Sequence, residues 1–151
     1  MNELIEKPEG ALTLAEAFAT NTVERGYDMP PIRFSTTDDT ITMFNALNST
    51  SEKVEDYIDK EVVVEHIIVS AADVQEEMNN PNAPYVNKPV IHFFCDDGTH
   101  IASLANGINR TTRNLLSTGV WPTEDHPIVI KFKRVKVKKG HAHGFEVVEI
   151  R

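Results

Sequence analysis

Residues 128–139 read Ile-Val-Ile-Lys-Phe-Lys-Arg-Val-Lys-Val-Lys-Lys, and six basic residues fall between Lys131 and Lys139. Fixed positive charges at short, regular spacing suit a polyanion better than any covalent chemistry. In a strand, alternate residues share a face. Ile128, Ile130 and Phe132 therefore lie together, whereas Val135 and Val137 are in the opposite phase. One extra residue at Lys133-Arg134, a β-bulge, restores the phase. All five apolar residues then point inward. Lys131, Lys133 or Arg134, Lys136 and Lys138 form one outward row, with Lys139 beyond it. Residues two apart in a strand lie about 6.6 Å apart, a spacing similar to that of phosphates on a single nucleic-acid strand. Four phosphate contacts predict a log–log salt slope near about −2.8, or roughly 50-fold weaker binding from about 50 to 200 mM salt. A lysine-rich strand can equally be an edge that discourages aggregation.

Binding a single strand without sequence preference also calls for aromatic rings on which bases stack. Phe93 or Phe94, Tyr85, Trp121 and Phe34 are candidates. Phe93 and Phe94 are adjacent in a strand, so one faces in and the other out, with His92 on the side of Phe94. Tyr85 is expected in a long polar hairpin loop. Arg110 and Arg113, three apart on a helix, could meet phosphate or simply solvate that face. Other constellations carry less. His141-Ala142-His143 is a two-ligand fragment without the third and fourth ligands a metal needs. Asp96-Asp97-Gly98 is explained by turn chemistry. Cys95 reads as a small buried apolar group. No phosphate-cradling glycine loop, nucleophile elbow or zinc spacing is present. The chain is therefore expected to be no enzyme and to need no metal or cofactor.

The elements that position these residues follow from periodicity and punctuation. Strands are expected at 60–69, 90–95, 99–103, 127–138 and 145–150. Asp97-Gly98 supplies a tight hairpin turn, and residues 70–88 form a long polar connection. A helix capped by Ser103 runs to about Ser117 and is closed by Gly119, with Ile108, Thr112, Leu115 and Leu116 on its buried face. A turn spans 140–144. The order β-β-β-α-β-β is that of the OB-fold, a small Greek-key barrel that often binds oligonucleotides. An open sheet gives the same order. The expectation is a mainly β domain at 41–151, five-stranded and OB-like, preceded by an acidic helical and extended appendage at 1–40. Within that appendage a helix from about Leu14 to Arg25 is expected. A further short segment lies at 41–47, helix or strand, and a helical turn at 51–58.

Charge supports this division. The chain of 151 residues has net charge −8, yet residues 1–59 hold 12 of its 23 acidic and 4 of its 15 basic residues, whereas residues 60–151 hold 11 of each. A polyanion responds to the local patch, not the sum. One cysteine excludes an intrachain disulfide and fits a reducing cytoplasm. No signal peptide is visible, and no apolar run reaches the ~20 residues that span a bilayer.

Phe44-Asn45-Ala46, the strand at 60–69, Asp97-Gly98-Thr99 with the helix after it, and the run from Lys131 to Gly140 occur in an order that resembles small single-stranded DNA-binding proteins of tailed bacteriophages, notably those with protein-primed linear genomes. The resemblance covers about residues 41–151. It implies an OB-like fold, non-sequence-specific binding of single-stranded DNA, and coating of displaced strands during phage DNA replication in the host cytoplasm. The first 40 residues exceed the compact family pattern. They could recruit a replication protein, swap onto a second subunit, or compete with DNA for the basic row. The rival reading is an OB-like protein-interaction module whose acidic N-terminal face docks on a host or replication protein.

Overall fold

The computed structural model describes residues 14–19, 21–22, 32–75, 82 and 85–151. Within them the chain is mainly β, with one curled mixed sheet forming a half-barrel and few helices. The elements are α1 (Leu14–Ala17), β1 (Asn21–Thr22), β2 (Ile32–Ser35), α2 (Thr40–Asn48), β3 (Glu52–Lys53), a 3-10 turn (Val54–Tyr57), β4 (Glu61–Gln75), β5 (Tyr85–Cys95), β6 (His100–Ser103), α3 (Asn106–Ser117), β7 (Ile128–Val137) and β8 (Gly140–Ile150). The sheet runs β3-β6-β5-β4-β7-β8, with β1 added to β5 and β2 to β4. Strands pair antiparallel except β3, which runs parallel to β6.

β4 is the spine, and its β-branched run explains why. A register shift between Val64 and His66 lets Val64, Ile67 and Val69 face one core although their spacing is uneven. Phe93 sits at the centre of that core, edge-on to Phe132 at 5.3 Å and to Phe145 at 5.6 Å between ring centroids. Burying one such ring contributes roughly 1.5–3 kcal/mol. α3 closes one side through buried Ile108, Thr112 and Leu116. It also packs along β8, where Gly107 meets the His143 backbone so closely that a Cβ would lie 2.2 Å from the carbonyl oxygen.

The strand order of the second half agrees with expectation, but several boundaries differ. Among the described residues eight strands are found where five were expected, because three short ones before residue 60 join the same sheet. The expected helix from Leu14 is a single turn ending at Ala17, and Asn21–Thr22 is a strand; residues 23–25 lie outside the described residues. The segment at 41–47 is helical, started by Asp39, whose carboxylate accepts from the Ile41 amide at 3.3 Å. Ser103 does not cap α3. Its hydroxyl accepts from the Ala105 amide at 3.0 Å, and Ala105 precedes the helix without a side-chain cap. The connection expected at 70–88 is shorter, since β4 runs to Gln75 and β5 begins at Tyr85. Residues 140–144 belong to β8, because Gly140 at φ +109° closes a turn of Lys138 and Lys139 alone.

Packing also draws in the first part of the chain. Ala17 and Phe18 are buried in the main core. Arg33 is 4% exposed, and its guanidinium donates to the carbonyls of Ala17 at 3.2 Å, Ala19 at 2.6 Å and Asn87 at 3.4 Å, and to the Asn87 side-chain oxygen. Burial lowers its pKa.

Candidate nucleic-acid interface

β7 has two halves. Its start pairs with β4 on one side, Ile128 to Lys131 against Val64 to Glu61, and with β8 on the other. β4 begins at Glu61, so no strand of β4 lies beside β7 beyond Lys131; there Ile58 makes an isolated bridge to Phe132 and the Asp59 amide donates to the Phe132 carbonyl at 2.7 Å. From Arg134 onward β7 and β8 continue as a two-stranded ribbon with an exposed tip. The ribbon carries Lys133, Arg134, Lys136, Lys138 and Lys139, and Lys131 stands at its base.

The bulge expected at Lys133-Arg134 is not there. Pairing with β8 is continuous from Ile130 to Val137, and the register shift lies between Val129 and Ile130. Strict alternation therefore splits the basic residues between two faces. Arg134 and Lys136 share the face of Ile130 and Phe132. Lys131 and Lys133 share the other with Val135 and Val137, which are 48% and 40% exposed instead of buried. On that second face Glu146 stands across from Lys131 and bonds Lys133 at 3.0 Å. On the first, Arg134 meets Glu55 of the 3-10 turn at 3.4 Å. Lys136, Lys138 and Lys139 have no ion pair among the described residues.

The aromatic candidates separate. Phe93 is fully buried. Phe94 points to the other side of β5, half-buried, with its ring stacked on His100 at 4.4 Å and on His92 at 6.2 Å. A hydrogen-bonded row supports that stack: Ser70 to His92 at 2.8 Å, His92 to His100 at 2.8 Å, and His100 to Ser49 at 2.7 Å. Burial, then the neighbouring His100, pushes the His92 pKa down to about 4, and burial lowers that of His100. Trp121 is half-buried with its ring 5.0 Å from Phe34, which makes both packing residues at the core margin. Tyr85 pairs through its backbone with Gln75; its side chain lies outside the described residues. Arg110 and Arg113 are exposed on α3. At 100° per residue, Arg110 flanks the Gly107–Thr111 stripe that touches β8, and Arg113 turns away from it.

Phe44 was not among the expected stacking rings. At 64% exposure it is the one exposed Phe, Tyr or Trp ring among the described side chains. Its signal was an Asp39-capped helix with Ile41 and Phe44 three apart and no basic residue to cover them. Two of the set-aside groups behave as expected: Gly98 takes φ +87° in its turn, and burial, with Asp97 next, raises the Cys95 thiol to about 12. Among the described residues no cluster of three metal-ligating side chains occurs, and no helix is long and apolar enough to cross a membrane.

No curated protein and no solved structure matches the chain. A protein-family model does, over residues 30–145, and its description is Phage Single-stranded DNA-binding protein. The match runs from β2 into β8 and includes every basic residue from Lys131 to Lys139. By that match the chain belongs to the phage single-stranded DNA-binding protein family, and single-stranded DNA is its ligand.

Proposed function

We propose that the protein coats displaced single strands during phage DNA replication in the host cytoplasm, without regard to base sequence, and catalyses no reaction. The observation that carries this reading is the projecting β7–β8 ribbon of a chain that belongs to this family. Its lysines and arginines would contact phosphate. We assign the contacts to Lys131, Lys133, Arg134, Lys136, Lys138 and Lys139, with Arg110 and Arg113 at the flank. Phe94 is the stacking ring, and Tyr85 and Trp121 are further candidates.

The neighbours β6-β5-β4-β7-β8 support an OB-like architecture. OB-folds are partly open five-stranded barrels that hold oligonucleotides on the face of their second and third strands and between the first and last hairpin loops. Here those parts are β5–β6 with the Phe94 stack and the Lys138–Lys139 turn; the connection from β4 to β5 lies largely outside the described residues. We place the DNA-binding domain at 41–151, with 1–40 as an appendage whose Ala17, Phe18 and β2 pack into that domain's core and sheet.

The test is fluorescence anisotropy of a labelled oligo(dT) at about 50 and 200 mM salt. Saturable binding that weakens roughly 50-fold, with equal affinity for mixed sequences, supports the reading. Folded protein that leaves oligo(dT) free at both salts overturns it and favours a protein-interaction module.

A further inference from the structure

The ribbon register places two residues that sequence spacing alone assigns to a turn. Arg134 pairs with His143, and Lys136 pairs with His141. Directly opposed residues of an antiparallel pair point to the same face, with Cβ atoms about 4.5–5.5 Å apart. That face is the continuation of the Phe132–Phe145 rung, whose rings meet at 6.1 Å inside the core. Beyond the core, therefore, come two successive rungs, each with a permanent cation opposite an imidazole. His141 is exposed and His143 half-exposed.

We infer that His141 and His143 belong to the DNA-contacting face of the ribbon and make strand binding proton-coupled. The inference rests on the reading that this ribbon holds the strand. Its physical basis is the charge around the two rings. Arg134 and Lys136 stand across from them, and Lys138 and Lys139 form the turn above. α3 packs against the His143 backbone through Gly107, and its charged residues are Arg110 and Arg113. The 3-10 turn contributes Glu55, which is engaged by Arg134 at 3.4 Å. Lys133 and Glu146 pair on the opposite face.

A phosphate laid across the rungs favours the charged form of each imidazole, because an opposite charge nearby does so. Histidine changes charge between about pH 5 and 8. Binding then takes up protons and tightens as pH falls. Two imidazolium–phosphate contacts also add about 1.4 to the steepness of the salt slope at low pH, at about 0.7 per contact on a single strand.

The experiment titrates full-length protein and the double variant His141→Ala/His143→Ala with labelled oligo(dT) at pH 6 and pH 8, each at several salt concentrations. Thermal melts at both pH values establish that each protein is folded. His66, His92, His100 and His126 are common to both proteins, so their contributions cancel in the comparison. The expected result is that wild type binds several-fold tighter at pH 6, with the steeper slope, and that the variant shows neither change. His141→Arg/His143→Arg should bind at pH 8 as wild type does at pH 6. A double variant that keeps the pH response, or a wild type that has none, overturns the inference and leaves single-strand binding standing. Folded wild type that binds oligo(dT) under none of these conditions overturns the functional reading itself.

Discussion

The two halves of β7 obey different rules. From Ile128 to Phe132 the apolar residues are 0–4% exposed; β7 pairs with β4 as far as Lys131, and Phe132 packs edge-on against Phe93. From Arg134 to Val137 every residue is exposed, and the backbone is held by β8 and the glycine-closed turn. One half is fixed by burial and the other by hydrogen bonding. Substitutions in the first should act on stability, and in the second on DNA, with little cross-talk.

Four substitutions or conditions test that separation. Phe93→Ala removes the ring that Phe132 and Phe145 both meet edge-on, and should cost about 3–5 kcal/mol of stability in a urea melt. A normal stability would mean that the core does not depend on this contact. Acidification should come next. His92 titrates at about 4 in the folded chain, below the ~6.5 of an unfolded histidine. The unfolded state therefore binds more protons between these values. Stability is intact above about pH 6.5 and lost towards pH 4, at up to about 1.4 kcal/mol per pH unit. His92→Gln should flatten that slope in melts at stepped pH; an unchanged slope assigns it to other groups.

Gly107→Ala puts a Cβ 2.2 Å from the His143 carbonyl oxygen, an overpacking expected to cost about 1–3 kcal/mol. Because α3 braces the ribbon there, DNA affinity should fall with it. This is the variant that sharpens the boundary between the two halves. The smallest stability effect belongs to Lys136→Ala, an exposed tip residue whose melt should shift by less than about 0.5 kcal/mol. Its affinity for all single strands should weaken about equally, with the salt slope shallower by about 0.7. A large loss of stability in this variant would mean that the ribbon is part of the core.

The strand order from β4 to β8 was legible because β-branched runs, Asp97-Gly98 and the α3 apolar stripe are local signals. The bulge was misplaced for a reason no local signal carries. Val135 and Val137 look like core residues, but they lie on the ribbon beyond the last β4 pair at Lys131, and unbroken pairing with β8 sets their phase instead. One consequence was that the basic residues were read as a single row when they occupy two faces. The same limit hid β2. Ile32–Ser35 pairs with β4 across more than thirty residues, and Phe34 and Arg33 are placed by contacts that sequence does not express. That Phe93 and Phe94 face opposite ways was legible from alternation, whereas which of them is buried, and the hydrogen-bonded row beneath Phe94, were not.

Arg33 has a consequence for how the molecule comes together. A guanidinium is costly to strip of water before its acceptors are in place. Its acceptors come from two separate places: the Ala17 and Ala19 carbonyls of one segment, and Asn87 of β5. None of them alone repays the dehydration. The segment at 17–19, β2 and β5 should therefore close and open together, as one cooperative unit whose amides exchange with solvent at a common rate.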